Sequence, residues 1–377
     1  MRVDLVEQLA GSDAEPDQAV SLPSACYRDP EVQEDEVSRV FRNGWIGLGR
    51  SDIVAEPGNY AALEIAAIPL ILLRDQTGKL RCFANSCRHR GALLLEGQGS
   101  TRGIKCPFHG WNYRLDGTLA GAPRMETSPC FEKSDNGLIE FACGERAGFA
   151  FISMDCGRND LDGHLGDFEA VHQPWPLASL ITTRRRQLEV KCNWKIFLDV
   201  FNEYYHLTYV HADTLGGLYN EPDAGDLVDG AFASQFGETH GTGGLLESQQ
   251  NHALPLMPGL EGRPAHGTRY TWVFPNMTFA ASTDAVWVYE AYPLTPDRCI
   301  VRQSICFPPE TVALPDFEQN ARRYYERFDT AMDEDIVALE AQQKGLSSPY
   351  ACQGRFQPHL ESNVAAFARW YARQMRD

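Results

Sequence analysis

Cys87-Arg88-His89, then sixteen residues, then Cys106-Pro107-Phe108-His109 is the stretch that decides how the rest of the chain is read. Each short pair combines one thiolate with one imidazole, at C-x-H and C-x-x-H spacing. Together they bring two Cys and two His within reach of a single inorganic centre. A [2Fe–2S] cluster in which one iron takes both cysteines and the other both histidines needs this donor set. Each mixed pair, carried on a hairpin-like loop, then gives one ligand to each iron. A structural zinc ion accepts the same four donors, but its ligands usually pair like with like, as C-x-x-C and H-x-x-x-H. Gly91, Gly103, Gly110 and Pro107 punctuate the loops, as a cluster lid requires.

In its residues the segment resembles the Rieske family: C-R-H-R-G, then C-P-F-H-G-W, with Tyr113, Asp116 and Gly117 following. A length of 377 residues suggests two domains. The composition, 43% hydrophobic and 23% charged, is that of a globular protein. No run approaches the roughly eighteen consecutive apolar residues of a membrane helix, and no basic segment followed by an apolar stretch opens the chain. A cytoplasmic protein is expected. The 11 cysteines form no regular framework, and outside Cys87 and Cys106 they read as ordinary thiols of a reducing compartment. With 34 basic against 51 acidic residues the net charge is −17, which disfavours nucleic acid. A cationic substrate or a basic redox partner is compatible with that charge, as is plain solubility.

Residues 1–25 read as a loosely held polar arm. Residues 30–43 read as an amphipathic helix with Val32, Val37, Val40 and Phe41 on one face. From Trp45 to about Met154, short apolar runs broken by turns predict an all-β domain, with strands at 68–73, 80–83, 138–143 and 148–152. Residues 155–186 read as a seam, and the Arg184-Arg185-Arg186 run as a solvated or ion-paired surface. A mobile loop over a pocket is expected within 216–267.

A second stretch, 193–209, predicts a helix with Asn193 as its N-cap. Apolar residues from Trp194 to Leu207 cover most of its circumference, so it is buried. Lys195, Asp199, Asn202, Glu203 and His206 share the remaining strip. Buried charges need partners or a metal, so the strip is expected to line an internal polar site. His211 lies about 140° from His206 on an unbroken helix. The helix must therefore end or deform near Tyr209 if both are to reach one ion. Their natural third partner is a carboxylate, as in the 2-His-1-carboxylate set of non-haem iron(II) oxygenases. On a helix expected over 328–344, Asp335 falls at the centre of the apolar stripe, while Asp333 and Glu334 point away from it. An ion pair between Asp335 and a neighbouring Arg is the alternative.

With both stretches in view, the chain from Tyr27 onward resembles the catalytic (alpha) subunit of a Rieske non-haem iron oxygenase. The resemblance implies an α+β fold: an N-terminal all-β Rieske [2Fe–2S] domain over 45–155 and a catalytic domain over 156–377. The catalytic domain is expected to hold a helix-flanked antiparallel sheet of the helix-grip, START-like kind, and 1–44 to pack on it as an arm and helix. It further implies Cys87, His89, Cys106 and His109 as cluster ligands and His206, His211 and Asp335 as ligands of a mononuclear iron(II) that activates O2. Glu203 is implied as an electron bridge from His109 of one chain to His206 of the next, in a head-to-tail homotrimer, with Asp199 and Asn202 as further catalytic residues. No G-x-G-x-x-G opens a βαβ unit, so a separate flavin and Fe–S reductase is expected to use NAD(P)H.

For the substrate, Glu at the bridge resembles the branch that oxidises quaternary ammonium compounds such as betaines, choline and carnitine. Phe201, Trp272, Phe274, Phe279, Trp287 and Tyr289 are the candidate pocket residues, and the aromatics along 270–292, Tyr270 and Tyr292 among them, could form a cation–π cage. Hydroxylation of an aromatic ring or aromatic acid on the same scaffold is the second reading. A Rieske electron carrier without catalysis is the third.

Overall fold

The computed structural model describes residues 3–15, 18–155 and 160–376. The first half is built from β1 (Trp45–Arg50), β2 (Asn59–Ile65), β3 (Ile68–Arg74), β4 (Leu80–Ala84), β5 (Gln98–Ser100), β6 (Ile104–Lys105), β7 (Asn112–Tyr113), β8 (Leu119–Gly121), β9 (Glu140–Arg146) and β10 (Phe149–Ser153). One sheet runs in the order β1-β10-β9-β4-β3-β2-β5, and β6-β7-β8 form a smaller one. β3 shows why the run 68–73 lacks polar alternation. Leu70 and Leu72 enter one core while Ile71 and Leu73 enter another, beneath the Cys-His loops, and all four are fully buried. A strand covered on both faces has no solvent side to mark.

The second half carries β11 (Ile181–Val190), β12 (Phe232–Glu238), β13 (Gly267–Val273), β14 (Met277–Ala281), β15 (Val286–Thr295) and β16 (Arg298–Phe307). They form one antiparallel sheet in the order β11-β16-β15-β14-β13-β12. Strand alternation divides its side chains. Tyr270, Trp272, Trp287 and Tyr289 enter one core, while Val273, Phe279, Val286 and Val288 enter another.

Helices α1 (Val3–Ser12), α2 (Pro30–Glu36), α3 (Leu161–Leu165), α4 (Phe168–His172), α5 (Trp194–Phe201), α6 (Leu207–Val210), α7 (Pro309–Val312), α8 (Phe317–Leu346) and α9 (Ser362–Arg376) complete the chain. α5 and α9 lie against the catalytic sheet and α8 against α5. This is the α+β arrangement expected. The two halves are joined by Asn276, which accepts from Gly47 N and donates to Gly47 O, both at 3.0 Å.

Several expectations need correction. The N-terminal arm is not loose: α1 buries Leu5 and Leu9 against α9, and Asp13 pairs with Arg373 and Arg376. The helix expected over 30–43 is α-helical only to Glu36 and continues as a π-helical turn over Val37–Arg42. The seam folds as α3 and α4 and runs into the first half of β11, apart from 156–159, which lie outside the described residues. The stretch 216–267, within which a loop is expected, contains β12 and buries Leu218, Leu245, Leu254 and Met257. The arginine run does form ion pairs: Arg184 and Arg186 with Asp329, and Arg185 with Asp52.

Candidate metal centres

The two Cys-His loops are built alike. Gly91 N donates to Cys87 O at 2.8 Å and Gly110 N to Cys106 O at 3.1 Å. Each cysteine N–H reaches the carbonyl five residues on, Ala92 at 2.9 Å and Trp111 at 2.7 Å. Both glycines have φ of +72°, a conformation that side chains with a Cβ rarely adopt. The turn therefore closes in four residues, with His two positions after Cys in one loop and three in the other. The His89 and His109 rings end 4.6 Å apart, and His89 stacks on Trp111 at 4.9 Å.

Both cysteines are buried, and Tyr113 Oη sits 3.3 Å from Cys87 Sγ and accepts Arg88 N at 3.1 Å. Burial alone would raise the Cys106 thiol, but the His109 and Phe108 backbone N–H groups and Cys87 beside it hold its pKa below the ordinary value. His89 Nδ1 is buried without a hydrogen-bond partner. A buried ring nitrogen left bare costs about 1–3 kcal/mol; an iron at that nitrogen removes the cost. Two sulfurs, one prone to ionise, and two adjacent imidazoles fit a [2Fe–2S] cluster. His109 and Phe108 lie exposed at the loop tip.

The second centre depends on a break in a helix. α5 starts where expected, with Asn193 Oδ1 accepting from Lys195 N at 3.1 Å, but it stops at Phe201 instead of running to 209. Glu203 then accepts the N–H groups of Tyr205 and His206, the latter at 3.1 Å, and the chain restarts as α6. That re-aiming brings the His206 and His211 rings to 5.1 Å.

Asp335, from the middle of α8, completes the group. Its Oδ1 lies 3.0 Å from His211 Nε2 and 3.7 Å from His206 Nε2. One ligand atom from each residue falls within 4.8 Å of the others. Despite this closeness Asp335 Oδ1 makes no hydrogen bond of acceptable geometry. Both far ring nitrogens are occupied: His206 Nδ1 donates to Glu203 Oε1 at 2.5 Å and His211 Nδ1 to Glu334 Oε2 at 2.6 Å. A carboxylate behind each imidazole fixes the tautomer that leaves Nε2 free for metal. Burial would lower the His206 pKa, but the Glu203 hydrogen bond and charge, with Asp335, raise it. The three donors fit a mononuclear iron(II) facial set.

The sequence strip does not act as one unit. Glu203 and His206 reach the site. Lys195 instead pairs with Glu36, whose carboxylate also takes Trp194 Nε1 at 3.1 Å and Tyr371 Oη at 2.5 Å, all fully buried. Asn202 turns away, accepting from Thr278 Oγ1 at 3.0 Å and donating to Leu198 O at 2.7 Å. Asp199 lies beside Tyr27 Oη at 3.5 Å; burial pushes its carboxyl up to about 8 against the pull of Lys195. Glu334 was expected to point away, yet it orients His211, and Thr214 Oγ1 donates to it at 2.9 Å. The signal that could have found it is chemical: a ligating His needs an acceptor at its other nitrogen.

A cavity of about 40 Å³ adjoins the triad. Of the expected pocket residues, Phe201, Trp287 and Tyr289 line it. Trp272 does not, because it stacks on Phe367 of α9 at 3.9 Å; Phe274 packs on Phe367 and Trp370. Phe279 is on the opposite sheet face, against Phe149 and Phe168. Tyr204, Tyr270 and Arg327 take their places.

Residues 177–377 match the family model of the ring hydroxylating alpha subunit (catalytic domain), and 44–132 match that of the Rieske [2Fe-2S] domain. The chain is 27% identical to the carnitine monooxygenase oxygenase subunit of Acinetobacter baumannii, over 91% of this chain and 90% of that protein. It is 26% identical to the chloroplastic choline monooxygenase of Arabidopsis thaliana, over 90% and 79% respectively. A solved quaternary ammonium Rieske monooxygenase superposes with a TM-score of 0.83 at 24% identity, covering 98% of both chains. Naphthalene 1,2-dioxygenase from Rhodococcus sp. superposes with a TM-score of 0.84 at 21% identity, covering 100% of this chain and 99% of that one.

Proposed function

The chain belongs to the ring-hydroxylating oxygenase alpha subunits that carry a Rieske [2Fe–2S] domain, and from that premise we propose that it oxygenates a small quaternary ammonium compound. The observation that carries this is the triad of His206, His211 and Asp335, each imidazole backed by its own carboxylate, opening onto an aromatic cavity. Cys87, His89, Cys106 and His109 would hold the cluster, and the triad the iron. When bound, these groups supply single electrons and a site for O2.

The protein's own residues prepare that chemistry. Glu203 and Glu334 hold the two imidazoles in the tautomer that presents Nε2. Phe201, Tyr270 and Tyr289 meet edge to face, with Phe201 5.4 Å from Tyr270 and 4.8 Å from Tyr289. Perpendicular rings around a cavity are walls on which a methylated ammonium group can rest. The similarity to enzymes named for choline and carnitine supports the same substrate class. The likeness to naphthalene dioxygenase, at lower identity, speaks for the fold alone.

A separate reductase supplies the electrons from NAD(P)H. The bridge reading extends to a head-to-tail homotrimer, in which exposed His109 at one chain's loop tip meets the Glu203 surface of the next. On this reading the chain divides at 44/45, just before β1, and at 155/156, after β10, and the protein is cytoplasmic.

The net reaction inserts one oxygen atom of O2 into a C–H bond beside nitrogen and releases the other as water, using two electrons and two protons. Where the bond is in an N-methyl group, the carbinol product loses formaldehyde and a proton. The test is O2 uptake with a surrogate reductase against betaines, choline, carnitine and benzoates. Ammonium-stimulated uptake is expected. Stimulation by benzoate alone would transfer the assignment to aromatic acids.

A further inference from the structure

The cavity beside the triad holds a cation that no acid among the described residues answers. Arg327 is 5% exposed. Its Nε has no partner, and its hydrogen bond among the described residues runs from Nη2 to Tyr219 Oη at 3.3 Å. Among the described residues no carboxylate lies in salt-bridge range of it; its guanidinium lies over the Trp287 ring at 5.2 Å and the Phe328 ring at 4.9 Å. An arginine cannot shed its proton to escape burial.

The neighbouring groups are also donors. Trp287 Nε1 is buried without a partner, and so is Tyr204 Oη. Tyr289 Oη accepts from Gln303 Nε2 at 2.9 Å, so its own proton remains to be given. Trp287, Tyr204 and Tyr289 line the same cavity as Arg327. The acceptors of the cavity, Glu203 and Asp335, stand at the triad end, whereas the donors around Arg327 are unanswered. That end suits a ligand that brings acceptors, and a carboxylate brings four lone-pair sites with a shape that matches the guanidinium fork.

Placement along α8 adds a length. Arg327, Ala331 and Asp335 are four residues apart and share a helix face, so Arg327 stands two turns, roughly 12 Å, from the triad carboxylate. Ala331, the smallest of the three, lies between them along the cavity wall. One end of the cavity thus has metal donors and the other a bare cation.

We propose that Arg327 and the donors around it form an anion subsite for the carboxylate of a zwitterionic betaine, which places the N-methyl end at the triad. The inference rests on the ammonium reading above and narrows it: betaines that carry a carboxylate are substrates, and choline, which has the ammonium group but no carboxylate, is a poor one.

Binding to the full-length, iron-replete protein, followed by calorimetry, tests this without turnover. The probes are glycine betaine, carnitine, choline and benzoate. Wild-type protein should bind one or both betaines roughly tenfold to a hundredfold more tightly than choline. Arg327→Met should bring the betaines down to the choline level and leave choline within about twofold; Arg327→Lys, which keeps the charge but not the fork, should fall between. A thermal melt and the visible spectrum establish that each variant is folded. Equal affinity of the wild type for betaines and choline overturns the subsite whether or not any variant folds, while leaving the ammonium reading intact. Benzoate binding that depends on Arg327, with no ammonium compound bound, upholds the subsite and overturns the ammonium reading.

Discussion

The two metal centres are put together in opposite ways. The cluster loops lie within one stretch of chain, hold their shape by backbone hydrogen bonds that each loop makes to itself, and end at an exposed tip. The triad draws on the two ends of α6, beyond a helix break, and on a residue more than a hundred positions later, and it is shaped by side chains: Glu203 behind His206, Glu334 behind His211. A centre of the first kind is a local motif. A centre of the second kind exists only once the core has formed, so it should inherit the faults of that core.

The largest expected effect separates them on that ground. Lys195→Met leaves Glu36 facing Trp194 and Tyr371 without its cation, in a spot where the Lys195 side chain is 0% exposed. Breaking such a buried pair costs about 3–5 kcal/mol. Denaturant unfolding should show this loss, while folded protein keeps its cluster absorption. A loss under about 1 kcal/mol would mean the pair is not what seats α5.

Next in size is a pH effect, again of opposite sense in the two halves. Glu290, on β15, is 2% exposed, and burial pushes its pKa from 4.5 up to about 7. The folded state then binds more protons than the unfolded one between those values, so its stability falls as pH rises through that window. Glu290→Gln should flatten the slope there, by up to roughly 3 kcal/mol at pH 7 and above. Asp75, in the hairpin between β3 and β4, is the reverse. Burial would raise it, but hydrogen bonds from Thr77, Arg81 and Lys79 N hold it well below 3.8. Its contribution is present above that value and lost on acidification. Unfolding curves of wild type and Glu290→Gln from pH 4 to 8 check the first; parallel curves would contradict it.

Smaller still, Glu334→Gln removes the carboxylate behind His211 and should weaken the triad's hold on iron roughly tenfold to a hundredfold, leaving the cluster untouched. Iron competition with a chelator reads this directly. Smallest is Gly110→Ala. A Cβ there would meet nothing closer than 3.8 Å, so the cost is the φ of +72° alone, about 1–2 kcal/mol. It should be felt in cluster retention and not in the triad; an equal loss of both metals would blur the contrast between a local and an assembled centre.

The same contrast explains what could be read from the sequence. Cys87, His89, Cys106 and His109 were legible because their spacing is their geometry. His206, His211 and Asp335 were legible as residue types, but the chain break that unites the histidines was placed too late, near Tyr209 instead of after Phe201, because periodicity does not reveal that Glu203 will cap the restart. Lys195 looked like part of the site because helical spacing reports a shared face, not a shared partner; Glu36 is 159 residues away. Among the aromatics, Trp272 and Trp287 share one sheet face, but only the position of α9 showed that Phe367 covers Trp272. Glu334 stood next to Asp335 and was set aside by its helical angle, although a long side chain at that angle can still reach a neighbouring imidazole.

The central claim is that two separate metal stations occupy this one chain, and counting iron against acid-labile sulfide in anaerobically prepared wild type and Asp335→Asn tests it most directly. About three iron per two sulfides is expected in the wild type and about two per two in the variant, with the same visible spectrum in both. An unchanged ratio in the variant, or zinc in place of iron in the wild type, would contradict it.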